Sequence, residues 1–168
     1  MKLLLYCTKA KPQLFNTDKG FVITDFGLGE YYKNKKLLNG KIVAECDFEV
    51  ETGIKPSEEL NKKSCMTNQE IIEYLLIRSC NTCYAIHIKN LHIFEHPKWL
   101  EGFLTMERHT LRKAPQNMCK VLRVGINDTN TYFEPYILVS IRPKWLCKIL
   151  NGEKTIEIRR RVLKEMLK

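Results

Sequence analysis

Residues 136–161 contain the pattern that most constrains the fold, because they predict a strand, a short helix and a second strand in close succession. The first six of these residues are apolar apart from one serine, as in a buried strand. Pro143 suits the first turn of a helix, where its missing amide costs nothing, and Asn151-Gly152 supplies a left-handed stop. The alternation of residues 154–161 then indicates another strand. A unit this small cannot bury its apolar face alone, so it must join a larger sheet.

The rest of the chain predicts the other parts of that sheet. Apolar or alternating runs predict strands at residues 2–8, 21–25, 41–50, 84–94 and 118–124. Thr67 and Glu70 form a capping box that predicts the start of a helix, whereas residues 52–65 are typical of a polar connector. Residues 1–168 are therefore expected to form a single α+β domain. We expect this domain to be a small β-barrel of about six or seven strands with two to three flanking helices.

The composition excludes several classes of protein. Hydrophobic residues make up 44% of the 168 residues, which is enough for a core and rules out intrinsic disorder. No apolar stretch approaches the roughly 18 residues of a membrane-spanning helix, and the short apolar start does not resemble a secretion signal. We therefore expect a cytoplasmic protein with no membrane partner.

The charge balance favours a polyanionic partner. Lysine and arginine number 28 against 19 aspartates and glutamates, which gives a net charge of +9. Nucleic acid is the first candidate for such an excess, and an anionic membrane surface is the second. Charge alone is a weak indicator, so a basic protein without a specific anionic partner stays open at this point.

The seven cysteines do not predict a metal site or disulfides. Their odd number, without a secretion signal, favours reduced thiols. The pair Cys80 and Cys83 has a metal-like spacing, with Cys65 upstream and His87 downstream. A structural zinc site needs a second ligand pair of the usual spacing, and none follows. We expect no metal and no cofactor.

Residues 141–159 resemble the opening of the ASCH family, a group of PUA-like β-barrels. The family signature has the form Gly-x-Lys-x-x-Glu-x-Arg, and Gly152, Lys154, Glu157 and Arg159 match it residue by residue. The resemblance implies a PUA-like barrel that binds RNA or a nucleoside. It also suggests an origin among the small proteins of bacteria and their phages.

The order of the segments suggests a circular permutation of that family. Residues 134–168 resemble the family's first strand–helix–strand, and residues 1–133 resemble the part that normally follows, including a closing turn at 114–117. The two tail strands should then pair with the strand at residues 2–8. This pairing could occur within one chain, or in a homodimer that exchanges residues 136–161.

The alternation of the tail also predicts a polar site. Glu157 and Arg159 should project from one face of the last strand, with Ile156 and Ile158 buried, and the turn at Gly152 should bring Lys154 beside them. Arg159 and Lys154 could then donate to a phosphate or a base, and Glu157 could accept from a base amino group. The alternative is a simple ion pair between Glu157 and Arg159 on a solvated strand.

Further binding residues are predicted around the start of the helix. Arg142 and Lys144 add positive charge there, and Trp145 could stack on a base, although it could equally be a core residue. Lys9, at the end of the first strand, completes the predicted binding set.

Three functions remain open from the sequence. The first is an RNA-binding or nucleoside-binding module. The second is a small hydrolase: one branch of the family is similar to amidohydrolases acting on acetylcytidine with a lysine, a threonine and a glutamate. Lys154 falls on that lysine, but Glu157 stands where those enzymes carry threonine. A ribonuclease branch implies instead that Lys154 and Glu157 act as acid and base. The third is a protein-interaction module.

Overall fold

The structure, a computed structural model, describes residues 1–76 and 83–168. The described strands are β1 (Lys2–Cys7), β2 (Gln13–Thr17), β3 (Gly20–Thr24), β4 (Lys36–Leu37), β5 (Ile42–Thr52), β6 (Tyr84–Lys98), β7 (Met118–Ile126), β8 (Thr131–Ile141) and β9 (Ile156–Arg159). The described α-helices are α1 (Glu58–Ser64), α2 (Asn68–Leu76) and α3 (Pro143–Leu150). None of these helices is long and apolar enough to cross a membrane.

Six strands form the main sheet, in the order β7-β8-β1-β5-β6-β9, and β3-β2-β4 form a smaller one. All neighbours in the main sheet are antiparallel except β1 and β8, which are parallel, with Leu3 opposite Ile137. The mixed α+β class is thus confirmed. The expected count of six or seven strands was too low, because the short strands β2 and β4 carry little apolar pattern.

The central strand β1 is buried on both faces. Alternate residues point to opposite faces of a strand, so Leu3 and Leu5 enter one core while Leu4 and Tyr6 enter another. A strand covered on both sides has an unbroken apolar sequence instead of an alternating one. β1 therefore separates the two hydrophobic cores of the domain, one on each of its faces.

The helices before β6 are fixed by capping. The capping box is confirmed, since Glu70 N donates to Thr67 Oγ1 at 3.1 Å and Thr67 N donates to Glu70 Oε2 at 2.7 Å. The segment predicted as a polar connector contains α1, whose first turn is capped by Ser57. That prediction was wrong because α1 has seven residues and buries only Leu60 and Ser64, which is too few for a periodic apolar stripe.

The tail forms the predicted strand–helix–strand. Gly152 ends α3 with a φ of +77°, and Ile156 and Ile158 are buried, both as expected. β8 pairs with β1, but β9 pairs with β6, where Ile158 lies opposite Ala85. The expectation that both tail strands pair with β1 was wrong because β5 already occupies the other edge of β1.

The main sheet does not close into a barrel by backbone pairing, because β7 and β9 remain its edges. Side chains nevertheless join those edges. Arg159, the last residue of β9, donates through Nη1 to Asn117 Oδ1 at 2.7 Å and through Nη2 to Ser140 O at 2.8 Å. Asn117 directly precedes β7, and Ser140 lies in β8. The sheet therefore curves until its last strand meets its first two.

Candidate functional site

A cavity of about 880 Å³ opens where the two sheet edges meet, between α2, the start of α3 and β9. We call it the main cavity. Its lining combines cationic, anionic and aromatic side chains. The cations are Arg142, Lys154, Arg159, Arg160 and Arg161, the carboxylates are Glu70, Glu73 and Glu157, and the aromatic rings are Tyr74 and Trp145. The volume lies within the range of ligand sites in proteins.

Lys154 lies at the floor of the main cavity with a side chain that is only 1% exposed. The turn after α3 places it there, since its own amide donates back to Lys148 O. Its Nζ donates to Ser64 O at 2.6 Å and lies 3.3 Å from Glu157 Oε2. Burial lowers the pKa of Lys154, and the nearby Glu157 opposes that shift only in part.

Glu157 is buried between two cations. One of its oxygens faces Lys154, while the other accepts from Arg159 Nε at 3.0 Å. The interpretation of Glu157 and Arg159 as a pair on a solvated strand is therefore wrong, because their side chains are 11% and 12% exposed. A buried carboxylate needs such donors to offset its lost hydration.

Arg159 is held mainly by the protein. Three of its N–H groups bond to Glu157, Asn117 and Ser140. The sequence suggested Arg159 as a donor to a ligand, but its geometry is that of a positioning residue that links the sheet edges and orients Glu157. The signature residues Lys154, Glu157 and Arg159 thus form one continuous buried network beneath the cavity.

The wall at the start of α3 carries the other predicted residues. Arg142 precedes the helix, is exposed and lines the main cavity. Trp145 is half-buried: it packs against the core and also lines the main cavity. Lys144 is not among the lining residues, and its ammonium lies 4.7 Å from the centre of the Trp145 ring. Lys154 Nζ lies 5.1 Å from the same centre.

The sequence reasoning missed several lining residues, among them Tyr74, Arg160 and Arg161. The guanidinium of Arg160 lies 4.5 Å from the centre of the Tyr74 ring, and its Nη1 is buried with no hydrogen-bond partner in the described part of the chain. Arg161 follows, exposed at the mouth. The run of three consecutive arginines, 159–161, was visible in the sequence. Tyr74 follows Ile71 at helical spacing, although nothing local indicated which element it would face.

Lys9 does not reach the main cavity. It lines a second cavity of about 320 Å³, which we call the side cavity, together with Arg112 and Lys113. The two cavities share Thr8 and Ser140 as lining residues. The predicted binding residues are therefore divided between the two cavities, apart from Lys144, which lines neither.

The cysteine pair suggested no metal site, and Cys80 lies outside the described residues. Within residues 1–76 and 83–168, no group of three or more His, Cys, Asp or Glu side chains could hold a metal ion. Burial raises the pKa of Cys7 and of Cys46 to about 12, so both remain protonated thiols at neutral pH.

Comparisons of this chain with family models, with curated proteins and with solved structures gave no match.

Proposed function

We propose that the main cavity binds RNA or a nucleoside, and that the protein is a permuted PUA-like domain of the ASCH type. One observation carries the functional proposal: a ligand-sized cavity combines exposed arginines, aromatic rings and a buried carboxylate between two cations. A site for phosphate alone gains nothing from carboxylates, whereas a base edge offers amino groups that need acceptors.

The wall residues suit the two halves of a nucleotide. Trp145 and Tyr74 line the cavity, and a base can stack on the ring surface that the neighbouring Lys144 and Arg160 leave uncovered, which is a sequence-tolerant contact. Arg142 and Arg161 are exposed and are in no ion pair with a described residue, so their guanidinium groups are available to a phosphate. Glu70 and Glu73, on α2, supply acceptors at the opposite wall.

The buried network gives these groups a fixed floor. Lys154 is held by Ser64 O, and Arg159 by Asn117 and Ser140, so Glu157 sits between two immobilised donors. Preorganised polar groups lose little conformational entropy when a ligand binds. This supports a recognition site more than a loose basic surface.

The family proposal draws on the same residues. The matches to the ASCH signature at Lys154, Glu157 and Arg159 form a connected network, which is what a functional motif requires of its members. The PUA-like barrel is supported by the curvature of the main sheet, whose edges meet through Arg159 and Asn117. The permutation is supported by the pairing of β8 with β1.

Calorimetric titration with the four nucleoside monophosphates and with a short single-stranded RNA tests the binding proposal. We expect Arg142→Ala to weaken binding about tenfold, the scale of one charge-assisted hydrogen bond. Arg123→Ala is the matched control, since Arg123 is exposed and lines neither cavity. Equal losses in the two variants would show non-specific attraction, and absence of any nucleotide or RNA binding would contradict the proposal.

A second candidate is a small hydrolase acting on RNA or on an acylated nucleoside. The lowered pKa of Lys154 favours it, because a larger neutral fraction of the amine can accept a proton. Glu157, 3.3 Å away, then stabilises the protonated amine of Lys154. A water molecule acts as the nucleophile in place of the missing threonine. The test is turnover by the wild type that disappears in Lys154→Met while nucleotide binding persists. If the wild type shows no turnover, the hydrolase candidate is rejected and the binding module remains.

A further inference from the structure

The side cavity differs in chemistry from the main cavity that it adjoins. Lys9, Arg112 and Lys113 line it, and no carboxylate is among the described residues of its lining. The main cavity, by contrast, mixes carboxylates and aromatic rings with its cations. A space in which the described charged lining residues are all cations suits a phosphate, and a mixed polar and aromatic space suits a base.

The three cations of the side cavity are free to meet an external anion. All three are exposed, and none forms an ion pair with another described residue. The stem of Lys9 packs over Gly40, where a Cβ would come within 3.2 Å of Lys9 Cε. The glycine thus lets the lysine side chain lie close to the backbone.

The junction of the two cavities contains an unsatisfied hydroxyl. Thr8 Oγ1 is buried and has no hydrogen-bond partner among the described residues. Ser140, the other shared residue, has its hydroxyl satisfied by Pro115 O at 2.7 Å. An unpaired buried hydroxyl is costly, and a ligand oxygen at the junction would remove that cost.

We infer that the ligand is a stretch of single-stranded RNA that spans both cavities. One base occupies the main cavity, the adjoining backbone passes Thr8, and a neighbouring phosphate lies among Lys9, Arg112 and Lys113. This inference rests on the proposed function and deepens it, because a lone nucleoside would leave the side cavity unused. Base contacts give selectivity in the main cavity, and phosphate contacts give affinity in the side cavity.

The test compares a nucleoside monophosphate with an oligoribonucleotide of about eight nucleotides, a usual site length. The quantity measured is the ratio of the two affinities in the wild type and in the double variant Arg112→Ala/Lys113→Ala. The matched control, Arg123→Ala/Lys55→Ala, removes the same two residue types from exposed positions outside both cavities.

We expect the Arg112→Ala/Lys113→Ala variant to lower that affinity ratio about tenfold, the effect of losing charge-assisted contacts. The log–log slope of oligomer binding against salt should also fall by at most about 0.7, the contribution of one phosphate contact on a single strand, because both cations face the same phosphate. The same change in the control would overturn the side-cavity assignment while the base site stands. If neither ligand binds the wild type, the proposed function fails and this inference fails with it.

Discussion

Two neighbouring regions of the main sheet contain close ion pairs in opposite surroundings. On the outer side of β5 and β6, Lys89 Nζ lies 2.6 Å from Glu49 Oε2, and the two side chains are 49% and 69% exposed. The other region is β9, which pairs with β6. Glu157 on this strand lies 3.3 Å from Lys154, just before the strand, and 3.0 Å from Arg159 at its end, and all three side chains are nearly buried.

The comparison shows that distance alone does not decide what a charge pair does. The exposed pair is hydrated and screened, so either member can lose its partner and regain water. The buried members cannot, and each depends on further acceptors, namely Ser64 O for Lys154 and Asn117 with Ser140 for Arg159. The buried network can therefore fix the shape of a cavity, whereas the exposed pair cannot.

The largest expected effect comes from removing the shared carboxylate. Glu157→Gln leaves the buried ammonium of Lys154 without its counter-ion, so the free energy of unfolding should fall by about 3–5 kcal/mol. Urea denaturation of the two proteins measures this difference. Glu49→Gln is the matched control on the exposed pair, and there we expect no resolvable change.

A second variant guards against the possibility that Glu157→Gln does not fold. Lys154→Met/Glu157→Gln also removes the uncompensated ammonium, so it should be more stable than Glu157→Gln alone. A double variant as unstable as the sum of the two single variants would show that Lys154 and Glu157 are not coupled.

A smaller effect is expected where the network joins the sheet edges. Arg159→Lys keeps the charge but cannot bond Glu157, Asn117 and Ser140 together, because an ammonium lacks the planar fork of a guanidinium. We expect the free energy of unfolding to fall by about 2 kcal/mol, the scale of lost hydrogen bonds to a charged group. Hydrogen exchange should increase at the amides of β9 relative to those of β5. Unchanged stability would mean that the contacts across the edges do not hold the sheet.

The smallest expected effect is the contribution of Lys154 to the pH dependence of the free energy of unfolding. Burial lowers the pKa of Lys154 in the folded protein from its ordinary value of 10.5. At a pH between the lowered pKa of the folded protein and the ordinary pKa of the unfolded chain, Lys154 is protonated more in the unfolded chain. This residue therefore makes the free energy of unfolding rise with pH. Buried thiols such as Cys7, with a raised pKa, act in the opposite direction.

The measurement is therefore the difference between the wild type and Lys154→Met, followed by urea denaturation from neutral pH to about pH 10. The free energy of unfolding of the wild type should increase relative to that of Lys154→Met as pH rises. A shift in the opposite direction would mean that Glu157 outweighs the burial of Lys154.

The sequence predicted elements with strong local patterns. β1 has an unbroken apolar run, and α2 begins at a capping box. α3 is followed by Gly152, whose positive φ is a backbone conformation that glycine favours. α1 and the short strands β2 and β4 lack such patterns. The partner of β9 depended on which edge of the sheet was free, which is not a local property.

The candidate site shows the same division. Alternation placed Glu157 and Arg159 on one face of β9, but their burial depends on Asn117, more than 40 residues away in the chain. The acceptor of Lys154, Ser64 O, is separated from it by 90 residues. Such non-local contacts bury the predicted polar cluster as one network, and local sequence patterns do not reveal them.

The two tryptophans offer the most direct test that the main cavity holds a base. Trp145 lines the cavity, whereas Trp99 is 62% exposed and lines neither cavity, so each molecule contains its own control. A nucleoside monophosphate is titrated while the two indole N–H resonances are followed by ¹H–¹⁵N NMR. We expect a saturable shift of the Trp145 resonance with little change at Trp99. Equal shifts at both tryptophans, or a shift at Trp99 alone, would contradict it.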